Sequence, residues 1–109
     1  MTCKTLLLAL LAVAVPGAVL AQDNADAVKK ALMDADHKMM MDMDSVPMTG
    51  DADKDFVAMM IPHHQGAIDM AKVELQYGKD PQMRAVAEAV VKAQEQEIAD
   101  MKKWQAAHP

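Results

Sequence analysis

The segment from Tyr77 to Pro81, YGKDP, constrains the fold more than any other part of the sequence. Glycine commonly follows the last residue of a helix, so Gly78 predicts a helix end. Asp80 is a favoured N-cap, and Pro81 fits the first turn of a new helix. Two helices joined by so short a connection pack antiparallel.

The rest of the sequence is helical in pattern and shows no alternation with period two. Val28, Leu32, Ala35 and Met39 form an apolar stripe, which predicts a first helix over about Asp23–Met43. A loop rich in Ser, Pro, Thr and Gly follows, and a second helix is predicted from near Asp51–Asp55 to Tyr77. The third helix runs from Pro81 to near Ala107. The predicted fold is all-α: a small antiparallel bundle of three helices, or a larger bundle built by dimerisation.

The N-terminus has the pattern of an export signal. Lys4 precedes an apolar run from Leu6 to Val15, Pro16 interrupts it, and small residues precede a cleavage site after Ala21. We therefore predict a signal peptide over residues 1–21 and one helical domain over residues 22–109. The protein is expected in the periplasm or outside the cell, with no membrane anchor after cleavage. The one cysteine, Cys3, leaves with the signal, so no disulfide is predicted.

Charge and size set expectations about partners. The chain has 11 Lys and Arg residues against 16 Asp and Glu residues, and this acidic balance disfavours nucleic acid as a partner. A domain this small buries a modest fraction of its surface, so we expect a homo-oligomer.

The second helix contains the most informative stretch, AMMIPHHQGAIDMAK from Ala58 to Lys72. At 100° per residue, one predicted inward face carries Phe56, Met59, Met60, His63, Ala67 and Met70. His64 is predicted at the edge of that face. Pro62 predicts a kink just before the histidines.

Two interpretations of this stretch remain open. In the first, the histidine belongs to an ordinary core and the methionines fill gaps in the packing. In the second, the imidazole and thioether groups bind a soft ion, for which Cu(I) is favoured and Ag(I) is an alternative. The third helix adds Met101 as a ligand and two polar residues, Gln94 and Glu97, to its inward side. Glu97 either accepts a hydrogen bond from a histidine ring and so orients it, or lies at an exposed margin.

The first helix carries a second set of candidate ligands, Met33, His37, Met40 and Met41, on the side away from its core stripe. Exposed apolar groups commonly mark an interface. The alternative is a second, looser and solvent-accessible Cu(I) or Ag(I) site. His108 is expected to be exposed at a frayed end.

Several catalytic patterns do not occur in the sequence. There is no Glu-x-x-His pair for a carboxylate di-iron centre and no HExxH motif for a zinc protease. No serine or cysteine nucleophile has a plausible base. We therefore do not expect an enzyme.

The run DFVAMMIPHHQGAIDMA, followed by LQYGKDPQMRAVAEAVVKAQEQEIADMKKW, resembles the family called domain of unknown function 305. The resemblance covers roughly Asp51 to Trp104. It implies a ferritin-like helical bundle and export and, in copper-associated (CopM-type) members, copper binding through Met and His. The matching positions are Met60, His63, His64, Met70, Gln94, Glu97 and Met101.

The sequence and the resemblance together predict an exported protein that sequesters Cu(I), or hands it to an acceptor protein, in metal resistance. The alternative is a non-catalytic structural or interaction module that docks a partner through a methionine-rich face.

Overall fold

A computed structural model describes residues 16–109 of the chain. Those residues form three helices: α1 (Pro16–Asp44), α2 (Ala52–Tyr77) and α3 (Pro81–Ala107). They contain no strand, so the predicted all-α class is confirmed. Most of the predicted signal peptide lies outside the described residues, and only 16–21 fall within α1. None of the three described helices has an apolar segment long enough to cross a membrane.

The helices end and begin at the two loops close to the positions that the sequence predicted. The Asp51 carboxylate accepts hydrogen bonds from the backbone N–H groups of Asp53 and Lys54 and so caps α2. Asp80 does the same for α3 through the N–H of Met83, with Pro81 in the first turn. Gly78 ends α2 by donating its N–H to the carbonyl of Glu74.

The predicted start of the first helix was wrong. The sequence places it near Asp23, whereas residues 16–22 already belong to α1. Residues 20–22 of this extension are exposed.

Helix α2 lies at the centre of the fold, and the other two helices pack against it. Among residues 16–109, α1 and α3 each contact α2 and do not contact each other. The three antiparallel helices therefore form a single flat layer, and α2 has a packed seam on each of two sides.

The seam between α1 and α2 depends on a close approach at Gly66. A Cβ atom at this position would overlap the Sδ of Met39, so the Met39 side chain fills the space that glycine leaves. Farther along the same seam, Val28 and Leu32 lie opposite Val73 and Tyr77.

The seam between α2 and α3 contains most of the buried apolar side chains. Val57, Ile68 and Ala71 of α2 are buried, as are Ala87 and Ile98 of α3. At its closed end, the Arg84 guanidinium donates hydrogen bonds to the carbonyls of Leu75 and Gly78 and ties α3 to the connection. Within the described part of the chain, five buried apolar residues, two of them alanine, make a small core.

The loop between α1 and α2 is held by one carboxylate. Asp55 accepts hydrogen bonds from the Thr49 N–H, the Thr49 hydroxyl and the Gly50 N–H at 2.8, 2.7 and 2.9 Å. These bonds favour the charged carboxylate and lower the pKa of Asp55 below its usual value. Gly50 has φ 86°, a left-handed conformation that glycine adopts without steric strain.

Candidate metal centre

His64 lies in the seam between α2 and α3, and its side chain is only 14 % exposed. Its Nε2 atom is 2.5 Å from Oε2 of Glu97 on α3. A carboxylate can only accept, so Nε2 carries the hydrogen, and in the neutral ring Nδ1 carries the lone pair. The predicted contact between Glu97 and a histidine is therefore present, and the histidine is His64.

The Nδ1 atom of His64 is buried and has no hydrogen-bond partner. An unsatisfied buried acceptor costs about 1–3 kcal/mol, so such an atom needs an explanation. Histidines that bind metals commonly donate their other ring N–H to a carboxylate, which fixes the tautomer and raises the basicity of the ligand atom. His64 and Glu97 have this arrangement, with Nδ1 as the available ligand atom.

The antiparallel register places two thioethers near this pair. Met60 lies one turn before His64 on α2, and Met101 lies one turn after Glu97 on α3. Because the helices run in opposite directions, these two turns lie at the same level of the seam. Val57 and Met101 line the same groove, which supports this register. Met60 and Met101 are both half-buried.

The predicted orientation of the two histidines was wrong. His63 was expected to face inward and His64 to lie at the edge, but His63 is exposed and His64 is half-buried. Phe56, also predicted inward, is 59 % exposed. The prediction assumed one inward face, whereas α2 packs on two sides and His63 and Phe56 lie between its two seams. The imidazole rings are 6.1 Å apart between centroids and inclined by 60°.

The other candidates on α2 and α3 have separate surroundings. Met59 is half-buried and falls on the side of α2 that faces α1, because it lies two turns from Gly66. Met70 lines a groove with Met83, Val86 and Val90 of α3. Gln94 is half-buried one turn before Glu97. The structure thus joins His64 to Glu97, and the register places Met60 and Met101 one helical turn from that pair. Met59 and Met70 have other surroundings, and His63 is exposed beside the His64 ring.

The first-helix set forms a different cluster. Met33, His37, Met40 and Met41 are all exposed, so they lie outside the seam between α1 and α2. Because α1 does not contact α3 within the described residues, this set is separate from the His64 group.

Carboxylate and histidine side chains alone do not form a metal site in the described part of the chain. Nowhere in residues 16–109 do three or more His, Asp or Glu side chains converge as a possible metal-binding group. A site at His64 would therefore depend on thioether ligands. A groove of about 540 Å³ between the first loop and the end of α3 contains none of the predicted ligands.

The packing of the His108 ring against Trp104 was not predicted from the sequence. The ring stacks on Trp104 with centroids 4.2 Å apart, and Nδ1 is 2.8 Å from the Trp104 carbonyl oxygen. A carbonyl accepts only, so Nδ1 carries the hydrogen. The spacing of four residues between an aromatic residue and a histidine was the available signal, because such residues are neighbours on a helix.

The fold and this site define a class: small all-helical proteins with methionine-rich helices and a histidine–carboxylate pair between two of them. Within that class the chain belongs to the family described as Domain of unknown function (DUF305), whose profile matches residues 10–105. A search of the curated proteins finds no match.

Proposed function

We propose that this protein binds Cu(I), and also Ag(I), between α2 and α3 and sequesters it or hands it to an acceptor protein in metal resistance. The observation that supports this most is the buried, unpaired Nδ1 of His64, in a ring held from its other side by Glu97. Nδ1 would be the nitrogen ligand, and Met60 and Met101 would supply sulfur.

The donor set favours a soft ion. Thioethers select Cu(I), whereas Mg²⁺ and Ca²⁺ prefer several oxygen ligands. The carboxylate nearest His64 is already bonded to the ring, so it acts on the metal through the histidine. This is the combination of donors expected for Cu(I) as cargo.

Thioether ligands also suit release. A neutral thioether does not need to lose a proton to bind, so uptake and transfer do not depend on titrating it. The exposed set on α1, Met33, His37, Met40 and Met41, would form a looser second site from which an acceptor protein could take the ion. Export by the predicted signal peptide would place both sites in the periplasm or outside the cell.

The test is an anaerobic titration of the purified protein with Cu(I) against a chromophoric chelator. Changing His64 to Ala should weaken the tightest site by at least about tenfold, because one nitrogen ligand and its Glu97 support are lost. His63→Ala is the matched control, since it removes the adjacent but exposed ring. Replacing Met60 and Met101 by Leu, which conserves volume, should weaken the same site.

Two outcomes would contradict the proposal. If wild type and His64→Ala compete equally with the chelator, His64 is not a ligand. If His63→Ala has the larger effect, the exposed histidine holds the ion and the seam does not. For the second site, changing Met33, Met40 and Met41 to Leu should lower the number of bound ions, and an unchanged number would exclude it.

A second candidate function is a non-catalytic interaction module. The exposure of Met33, Met40, Met41 and Phe56 favours it, because methionine-rich surfaces can adapt to a partner. The titration separates the two candidates, since a docking surface alone would not compete with the chelator.

A further inference from the structure

The loop between α1 and α2, the start of α2 and the end of α3 enclose a groove of about 540 Å³. We call it the loop groove; its apolar lining consists of Val46 and Pro47 of the loop, Ala58 and Ile61 of α2, and Trp104 of α3. Pockets that bind small molecules have volumes of about 300–1,000 Å³ and are lined mostly by apolar side chains with a few polar groups. The loop groove has this size and this composition.

The walls of the loop groove are held in place by contacts within the protein. Asp55 fixes the loop through its three hydrogen bonds. On the opposite wall, the His108 ring stacks on Trp104 and is hydrogen-bonded to its carbonyl. Lys54 donates a hydrogen bond of 2.8 Å to the carbonyl of Pro109 and so joins α2 to the residues that follow α3. Because the walls are already ordered, a ligand would not have to order them, which lowers the entropic cost of binding.

The loop groove also carries positive charge in an acidic protein. Lys54 and Lys102 both line it, and within residues 16–109 neither forms an ion pair with a carboxylate. The ammonium group of a lysine has three donors, and Lys54 uses one of them on the Pro109 carbonyl. The carboxylate in the lining, Asp55, is directed at the N–H and hydroxyl donors of the loop. An anion in the groove would therefore meet two ammonium groups beside an apolar surface.

We propose that the loop groove binds a small organic anion, namely a carboxylate with an apolar body such as a medium-chain carboxylic acid. Its carboxylate would pair with Lys54 and Lys102, and its apolar body would lie against Ile61 and Trp104. The two lysines select against organic cations, and the apolar lining selects against inorganic anions. The groove contains none of the proposed metal ligands, so this inference does not depend on copper binding.

The test is a titration of the metal-free, ¹⁵N-labelled protein with octanoate, followed through its N–H signals by NMR. Trp104 is the single tryptophan of the chain, so its indole signal identifies itself. Octanoate should shift this signal and the amide signals of Val46 and Ile61 in a saturable way, and should leave the amide of Gly66 unchanged.

Two other probes separate the contributions of charge and apolar surface. Acetate has the same carboxylate without the chain and should bind at least about tenfold more weakly, because each buried CH₂ group contributes about 0.8 kcal/mol, or roughly fourfold. Octyltrimethylammonium has the same chain with the opposite charge and should bind at least about fivefold more weakly than octanoate.

The chain offers a matched pair of variants for the charge. Lys102→Gln should weaken octanoate binding by about two- to fivefold, which is the range for an exposed ion pair. Lys103→Gln is the control, because Lys103 is exposed on the same helix and does not line the groove, yet its loss changes the net charge equally.

A third variant tests the apolar surface. Ala58→Leu places a larger side chain in the groove and should weaken octanoate binding by at least about tenfold, since it displaces the chain of the ligand. Leucine is a good helix former, so α2 should be retained. If Ala58→Leu fails to fold, the comparison of Lys102→Gln with Lys103→Gln still decides the result.

Three results would overturn the inference. The first is a titration with octanoate in which the Trp104 indole and Val46 signals do not move. The second is octyltrimethylammonium that binds as tightly as octanoate. The third is an equal loss of octanoate affinity in Lys102→Gln and Lys103→Gln, which would show a general effect of net charge.

Discussion

His63 and His64 are adjacent in sequence, but their positions around α2 give them different surroundings. Successive residues differ by 100° around a helix, so the two rings diverge. His64 meets Glu97 across the seam, and His63 is exposed. The contact with Glu97 was predicted from the polar residues on the inward side of α3. The sequence did not predict which of the two histidines makes this contact, because that depends on where α3 packs against α2.

Glu97 is expected to tune the nitrogen ligand through the ring. Glu97→Gln keeps a hydrogen-bond acceptor but removes the charge, so Nδ1 becomes less basic. The expected result is a loss of Cu(I) affinity of about 10–100-fold with helicity unchanged, measured by chelator competition and circular dichroism. Glu95→Gln, on an exposed part of the same helix, is the control. An equal effect of both variants would show a general charge effect and contradict the assigned role.

Asp55 should make stability depend on pH in the acid range. Its pKa is lowered in the folded protein by the bonds from Thr49 and Gly50. A lowered folded-state pKa gives a stabilisation that is complete above the unfolded-state pKa and is lost as pH falls through the folded-state pKa. Asp55→Asn should therefore lower Tm at neutral pH, and the difference from wild type should shrink as the solution is acidified.

Thermal unfolding of wild type, Asp55→Asn and the control Asp53→Asn over pH 2–7 measures this effect. A difference in Tm between Asp55→Asn and wild type that stays constant down to pH 2 would contradict the carboxylate's role in holding the loop.

At the scale of the elements, the sequence predicted the ends of α2 and α3 well because Asp51, Gly78, Asp80 and Pro81 act locally. The surroundings of the side chains on α2 were predicted less well. A single apolar face describes a helix at the edge of a fold, but α2 is central and has two seams. Its methionines therefore divide between the seams: Met59 lies on the side of α1 and Met60 on the side of α3. Hydrophobic periodicity along the sequence does not separate the apolar residues of α2 that face α1 from those that face α3.

Gly66 is expected to control how closely α1 approaches α2. A Cβ atom there would lie 2.7 Å from the Cβ of Met39, which cannot move without its backbone. Gly66→Ala should therefore push α1 away, although alanine is about 1 kcal/mol better than glycine inside a helix. Hydrogen exchange should become faster in α1 and remain unchanged in the seam between α2 and α3. Unchanged exchange in α1, or equal acceleration in all three helices, would show that Gly66 does not set this seam.

At the scale of the whole molecule, three antiparallel helices were predictable from the breakers between them, but a flat layer was not. Whether α1 and α3 meet depends on the angle between the two seams around α2, and this angle is set by side-chain packing. The homo-oligomer expected from the small size of the domain stays a prediction.

Copper binding should stabilise the whole molecule without forming new helix, because the helices that carry the ligands are already present. A ligand that binds only the folded state at a hundred times its dissociation constant adds about 2.7 kcal/mol. Cu(I) should therefore raise Tm of wild type and leave its helical circular dichroism unchanged. Met60→Leu combined with Met101→Leu should lose most of this increase, whereas Met48→Leu, in the exposed loop, should keep it. A large gain of helicity on binding would contradict a preformed site.

A crystal of the Cu(I)-loaded protein, measured at the copper absorption edge, tests the central assignment most directly. The expected result is an anomalous peak in the seam between α2 and α3, bonded to Nδ1 of His64 and to the sulfurs of Met60 and Met101, with Glu97 still on Nε2. A peak only at Met33, His37, Met40 and Met41, or a copper ion bound through His63 with Nδ1 of His64 left free, would contradict the assignment.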